Sequence, residues 1–139
     1  MQQDRSPLGV GFRWTLPVEG IGRVPLLKDG VVGLSVYDHR TWETRFGAIE
    51  ARTGEPLWWT HLYSTAYARA ASDGRHFFAP FGPIRIAALS MANGAVDWVF
   101  DTGTRVRSSP VLADSELIMA AGDRVIALGL DGKPRRRSL

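Results

Sequence analysis

Few residues in this chain can do chemistry, and their spacing limits what each can do. His39, His61 and His76 are the three histidines. None forms an H-x-H or H-x-x-x-H pair, whereas most zinc sites need three converging protein ligands. Cysteine is absent, which removes thiolate nucleophiles, Cys-ligated metals and disulfides together. Ser108-Ser109 precedes Pro110 without the G-x-S-x-G elbow of a hydrolase. Asp97 and Asp101 lie four apart on an expected strand, hence on one face, where paired carboxylates can act as acid and base. Surface solvation is the simpler role for both. Gly9-Val10-Gly11 has no helix after it and is not a phosphate loop. The expectation is therefore no catalytic, cofactor-binding or metal site.

The elements that would position these residues recur along the chain. Trp14, Trp58 and Trp98 are spaced 44 and 40 apart. Turn pairs recur with them: Asp29-Gly30, Asp73-Gly74 and Asp114-Ser115, then Thr53-Gly54, Asn93-Gly94 and Asp131-Gly132. Two internal distances hold steady. Gly54 to Trp58 and Gly94 to Trp98 are each four residues, and Trp14 to Gly30 and Trp58 to Gly74 are each 16. Between these markers the segments are short, rich in β-branched residues and bounded by turn dipeptides, the pattern of hairpins. No stretch carries a capped helical stripe. Four short antiparallel strands per ~40 residues make one blade of a β-propeller.

The expected fold is accordingly all-β: a partial β-propeller of four-stranded antiparallel blades forming a single domain over 1–139. A repeat remnant occupies 10–22, blades occupy 23–62 and 66–101, and an incomplete blade occupies 106–139. Bulk composition agrees. The chain is 45% hydrophobic and 22% charged, as ordinary globular proteins are. The net charge of +3 equals the contribution of Arg135, Arg136 and Arg137, so the body is near neutral and carries no nucleic-acid footprint. The N-terminus has no signal-peptide core, and no apolar run is long enough for a membrane helix.

Ala48–Trp58, AIEARTGEPLW, and Ala88–Trp98, ALSMANGAVDW, resemble the tryptophan-docking repeat of PQQ-type propellers, the quinoprotein dehydrogenase-like and BamB-like family. That repeat reads roughly Ala-x-Asp-x-x-Thr-Gly-x-x-x-Trp. The resemblance extends over about residues 14 to 132. It implies that Trp58 and Trp98 clamp consecutive blades, with Ala48 and Ala88 leaving room for the rings and Gly54 and Gly94 shaping the turns. Trp59 should point to the opposite face. The motif's Asp is Glu50 in one unit and Ser90 in the next, and the third unit places Arg136 where the Trp belongs. Quinoprotein enzymes of the family use an adjacent Cys pair, a Trp floor, calcium and an Asp base. Here there is no Cys and no matching calcium cluster, although Trp14, Trp42 or Trp59 would serve as a floor. PQQ and calcium therefore belong only to an alternative, enzymatic reading.

Closing a ring takes about four to eight blades. The chain is thus expected to be a fragment of a longer propeller or, if complete, a sector that joins other copies of itself. Variation between repeats falls between Gly30 and Gly54 (24 residues), Gly74 and Gly94 (20), and Ser115 and Gly132 (17). This assigns the variation to the connection between second and third strands, on one face. Insertions confined to one face often mark a binding face. The longest such connection is Asp38–Thr44, DHRTWET. Binding-face candidates are Asp38, His39, Arg40 and Trp42, joined by Phe81, Arg105 and Arg107; Trp and Arg are frequent hot-spot residues. Alternatively, Trp42 folds back over the blade edge. The functional expectation is a non-catalytic scaffold that binds a protein partner, without nucleic acid or membrane insertion. The family resemblance implies a periplasmic or extracytoplasmic location, and a sensor propeller fused to another domain is a further alternative.

Overall fold

A computed structural model describes residues 13–63, 69–106 and 108–135. Among these residues there is no helix. The first sheet contains β1 (Ile21–Lys28), β2 (Val31–Asp38), β3 (Glu43–Glu50) and β4 (Pro56–His61). The second contains β5 (Ala71–Ser72), β6 (His76–Pro80), β7 (Arg85–Ser90) and β8 (Val96–Asp101). β9 (Val111–Ala113), β10 (Glu116–Ala121) and β11 (Arg124–Gly129) form the third. Within each sheet the strands are antiparallel and follow chain order.

Local chemistry sets these boundaries. Asp29 (φ 50°) and Gly30 (φ 78°) both adopt positive φ, so the two-residue link from β1 to β2 has the twist that suits a tight hairpin. Pro25 lacks an N–H. β1 accommodates it with a bulge, its register shifting between Arg23 and Leu26. A second kind of bulge repeats between sheets: Ala48 faces Trp58 while Ile49 faces Pro56, and Ala88 faces Trp98 while Leu89 faces Val96. Leu57 and Asp97 are the extra residues.

The sheets stack through two apolar seams. Phe46, Ala48, Trp58, Leu62, Phe77 and Leu89 fill the seam between the first and second sheets. Phe78, Ile86, Ala88, Leu117, Met119 and Leu128 fill the seam between the second and third. Consecutive residues Phe77 and Phe78 thus enter opposite seams, as strand alternation requires. The middle sheet is covered on both sides, so β7 reads Ile-Ala-Ala-Leu without polar alternation, all four residues fully buried. Each buried aromatic contributes roughly 1.5–3 kcal/mol by area-based transfer.

Two features differ from the sequence expectation. Asp38, Glu43 and Thr44 belong to strands, so the β2–β3 link is His39–Trp42 and not Asp38–Thr44. The β6–β7 link, residues 81–84, has the same four-residue length. The extra residues of the first unit lengthen the strands themselves: β2 and β3 have 8 residues each, against 5 and 6 for β6 and β7. The longer hairpin has added ladder pairs, down to Asp38↔Glu43, instead of a longer loop.

Candidate functional site

Three tryptophans make the same contact with a following sheet. Trp14 Nε1 donates to the Ala51 carbonyl at 2.8 Å, Trp58 Nε1 to Met91 at 2.8 Å, and Trp98 Nε1 to Leu130 at 2.9 Å. Each ring lies on a turn glycine of that sheet. A Cβ built on Gly54 or Gly132 would fall 2.5 Å from the Trp14 or Trp98 ring, and Gly94 is as closely covered by Trp58. These glycines have φ near +80° as well (76°, 77° and 82°). Both the backbone and the ring therefore demand glycine. Thr60 Oγ1 adds a 2.6 Å bond to the Gly94 carbonyl. Ala48 and Ala88 have a different place: each is fully buried and pairs across strands with Trp58 or Trp98 of its own sheet. Trp59 faces the other side, over Gly47, with the Arg45 guanidinium 4.8 Å from its ring centre. Arg136 lies outside the described residues.

The strand connections divide into two faces. The turn face carries the Asp-Gly and Thr-Gly turns. The loop face carries the β2–β3 and β6–β7 links and the chain between sheets. On it, Asp38 organises the β2–β3 tip. Its Oδ1 accepts the Arg40 backbone N–H at 2.9 Å, its carbonyl accepts the Trp42 N–H at 2.8 Å, and the Arg40 guanidinium reaches both carboxylate oxygens. Hydrogen bonds from the Arg40 side chain, then from its backbone, hold the Asp38 carboxyl below the usual range despite partial burial. His39, Arg40 and Trp42 are all exposed. Trp42 has φ 63° and is 74% exposed, so it does not fold back over the blade edge.

Phe81 lies on the neighbouring link. Its ring meets Tyr63, 5.4 Å between centres, and Arg85 stacks 5.8 Å from it. The Arg105 carbonyl accepts the Gly122 N–H at 3.3 Å, which ties the link between second and third sheets to the third. Arg107 lies outside the described residues. The structure thus unites Asp38, His39, Arg40 and Trp42 on one tip and places Phe81 and Arg105 on other links of the same face. No ring contact among the described residues joins Trp42 to Phe81. Tyr63, His61 and Arg85 complete the Phe81 cluster, and sequence reasoning missed their grouping. Tyr63 has φ 56° where no Gly or Asn announces it.

The remaining chemical candidates separate. Asp97 Oδ2 meets His76 Nε2 at 2.5 Å on the turn face, whereas Asp101 accepts the Gly103 N–H at 2.7 Å on the loop face. Four strand residues span roughly 13 Å, so the two carboxylates do not form an acid–base pair. His76 Nδ1 is 3.6 Å from Asp73 Oδ2. Burial opposes ionisation of Asp73, but the Arg75 and His76 backbone N–H groups and the His76 ring lower its pKa on balance. No group of three His, Asp or Glu side chains among the described residues can hold a metal ion. An open depression of ≈ 610 Å³ lies at the Trp14 contact on the turn face, lined by Asp29, Glu50 and Arg52 among others. Its mixed charges select no ligand class. No helix among the described residues is long and apolar enough to cross a membrane.

No protein-family model matches the chain, and no curated protein matches it. Solved structures do. BamB from Moraxella catarrhalis superposes with a TM-score of 0.76 at 22% identity, over 91% of this chain and 40% of BamB. Quinohemoprotein alcohol dehydrogenase from Comamonas testosteroni matches with a TM-score of 0.64 at 19% identity, over 84% of this chain and 20% of that one. The alcohol dehydrogenase ADHIIG from Pseudomonas putida matches with a TM-score of 0.69 at 17% identity, over 87% and 21%. The chain therefore spans about two-fifths of the BamB chain and about one-fifth of the dehydrogenases. At these identities the likeness concerns the fold. With its all-β stacked sheets and repeated indole contacts, this chain has the fold of a partial PQQ-like β-propeller.

Proposed function

We propose that this chain is a sector of a non-catalytic PQQ-like propeller that captures a protein partner through its loop face, in an extracytoplasmic compartment. One observation carries the reading. Among the described residues, four non-glycine residues have positive φ: Asp29, Trp42, Tyr63 and Asp114. The two aspartates sit in hairpin turns, where this conformation is ordinary. Trp42 ends the β2–β3 hairpin link and Tyr63 follows β4, but neither has the short polar side chain that eases this conformation for aspartate, and both are large, exposed (74% and 63%) and on the same face. Left-handed backbone at bulky residues is uncommon and concentrates at functional sites. Exposed Trp, Tyr and Arg side chains are the usual anchors of protein interfaces.

The test places a photo-crosslinking amino acid at position 42 and, as comparison, at position 52 on the turn face of the full-length parent. Position 42 should trap a discrete protein and position 52 should not. The double variant Arg40→Ala with Trp42→Ala should lose capture of that protein while keeping its circular dichroism spectrum. Equal trapping from both positions, or unchanged capture by the double variant, would contradict the proposal. The enzymatic alternative has its own assay: PQQ and calcium added to the parent should give neither quinone absorbance nor dye reduction.

A further inference from the structure

The loop face has a second chemical feature, at the seam between the first two sheets. His61, Tyr63 and Phe81 form a continuous run of rings, with centres 4.2 Å and 5.4 Å apart and both contacts edge-on. The run crosses the seam, since His61 ends β4 and Phe81 follows β6. Backbone bonds fix it: Leu62 N–H donates to Thr44, Gly82 N–H to Leu62 and Phe81 N–H to Arg85, all at 2.7–2.9 Å. Gly82 packs closely against the cluster: a Cβ there would lie 3.3 Å from Arg85 Nη2 and 3.6 Å from the Tyr63 carbonyl oxygen. Arg85 lies over Phe81, is exposed, and makes no salt bridge among the described residues; Asp101, opposite it in the β7–β8 ladder, accepts the Gly103 N–H instead.

We infer that this exposed cluster binds an acidic peptide segment: a side-chain carboxylate pairs with Arg85 while the adjoining apolar or aromatic side chain lies against Tyr63 and Phe81. The inference rests on the loop-face reading above and adds the chemistry of the ligand. A guanidinium held near an aromatic ring without a salt bridge keeps N–H donors available, and those donors match a carboxylate bidentately. Aromatic rings beside a cation also suit single-stranded nucleic acid. The near-neutral body of the chain supplies no basic track for a phosphate backbone, which favours the peptide.

Fluorescence anisotropy with labelled, end-blocked peptides tests this. An alternating Glu-Phe peptide should bind saturably, and a Gln-Phe peptide should not. A Gln-Phe peptide with a free C-terminus distinguishes a terminal from a side-chain carboxylate and should also fail, as should a labelled oligo-dT strand. Arg85→Gln should weaken Glu-Phe binding about tenfold or more, the usual effect of losing a charge-assisted pair. Tyr63→Phe should retain binding and Tyr63→Ala should weaken it about fivefold. Arg52→Gln, on the turn face, should change nothing. Equal affinity for the Glu and Gln peptides, preference for the free terminus or for oligo-dT, or indifference to Arg85→Gln would each overturn the inference. Such a result with crosslinking from position 42 intact leaves the loop-face reading standing. Peptide selectivity without that crosslink does the reverse.

Discussion

Trp58→Ala removes one of the three indole contacts, and its cost follows from the surroundings of the ring. Trp58 is 9% exposed, lies 6.2 Å from Phe46 and 6.1 Å from Phe77 between ring centres, and covers Gly94. Truncating a buried Trp or Phe to Ala costs about 3–5 kcal/mol. Loss of the 2.8 Å bond to Met91 leaves a carbonyl that water can reach, a cost of order 1 kcal/mol already within that range. A loss of about 4 kcal/mol is a large part of the ~5–15 kcal/mol that stabilises a domain. For a chain of this size it lowers Tm by roughly 12–16 °C. Trp59→Ala is the internal control: the Trp59 ring is 37% exposed and lies over Gly47 with Arg45 beside it, so its removal should cost about 1–2 kcal/mol. Urea and thermal unfolding followed by circular dichroism measure both. If Trp58→Ala loses no more stability than Trp59→Ala, the account of how the sheets are joined is wrong.

Two further perturbations separate causes within the same fold. Gly94→Ala adds a methyl into the Trp58 ring at φ 77°, whereas Gly30→Ala has φ 78° with nothing within 4 Å. The second should cost about 1 kcal/mol for backbone strain and the first about 2–4 kcal/mol, the excess being overpacking; equal losses in urea unfolding would remove the steric argument. Asp73 makes stability pH-dependent. Its folded pKa is lowered from 3.8, so its contribution is complete above the unfolded value and disappears as pH falls through the lower, folded value. Asp73→Asn should therefore be less stable at neutral pH and lose less on acidification below about pH 4. Parallel acid-unfolding curves for variant and parent would contradict this.

Much of the fold was legible because identical physical problems recur along the chain. Each sheet offers a glycine turn to the indole before it, and the first two sheets offer an indole to the turn after them, so Trp and Gly keep a fixed spacing that needs no structure to see. Strand positions followed from Asp-Gly and Asn-Gly turns, whose conformations are limited by sterics. Other features left no such trace. Longer strands and a longer loop produce the same count of residues, so the β2–β3 hairpin was assigned a seven-residue loop where the structure has four linking residues. The bulge at Asp97 depends on cross-strand register, and it sits where the His76 pairing forms. The sequence reading has alanine leaving room for the tryptophan and glycine shaping the turn, whereas the glycine faces the ring from the next sheet and the alanine pairs with the tryptophan of its own sheet. The positive φ of Trp42 and Tyr63 is invisible because neither residue type favours it. The aromatic run at the seam was missed for that reason, as its members come from three separate elements.

The joining of successive sheets by indoles is tested most directly by hydrogen exchange of the five tryptophan side-chain N–H groups, read by ¹H–¹⁵N NMR. The Nε1–H groups of Trp14, Trp58 and Trp98 donate to carbonyls of the following sheet and should exchange slowly, while those of Trp42 and Trp59 should exchange at rates near those of exposed indoles. Five equally fast signals, or protection of Trp42 and Trp59 in place of the other three, would contradict it.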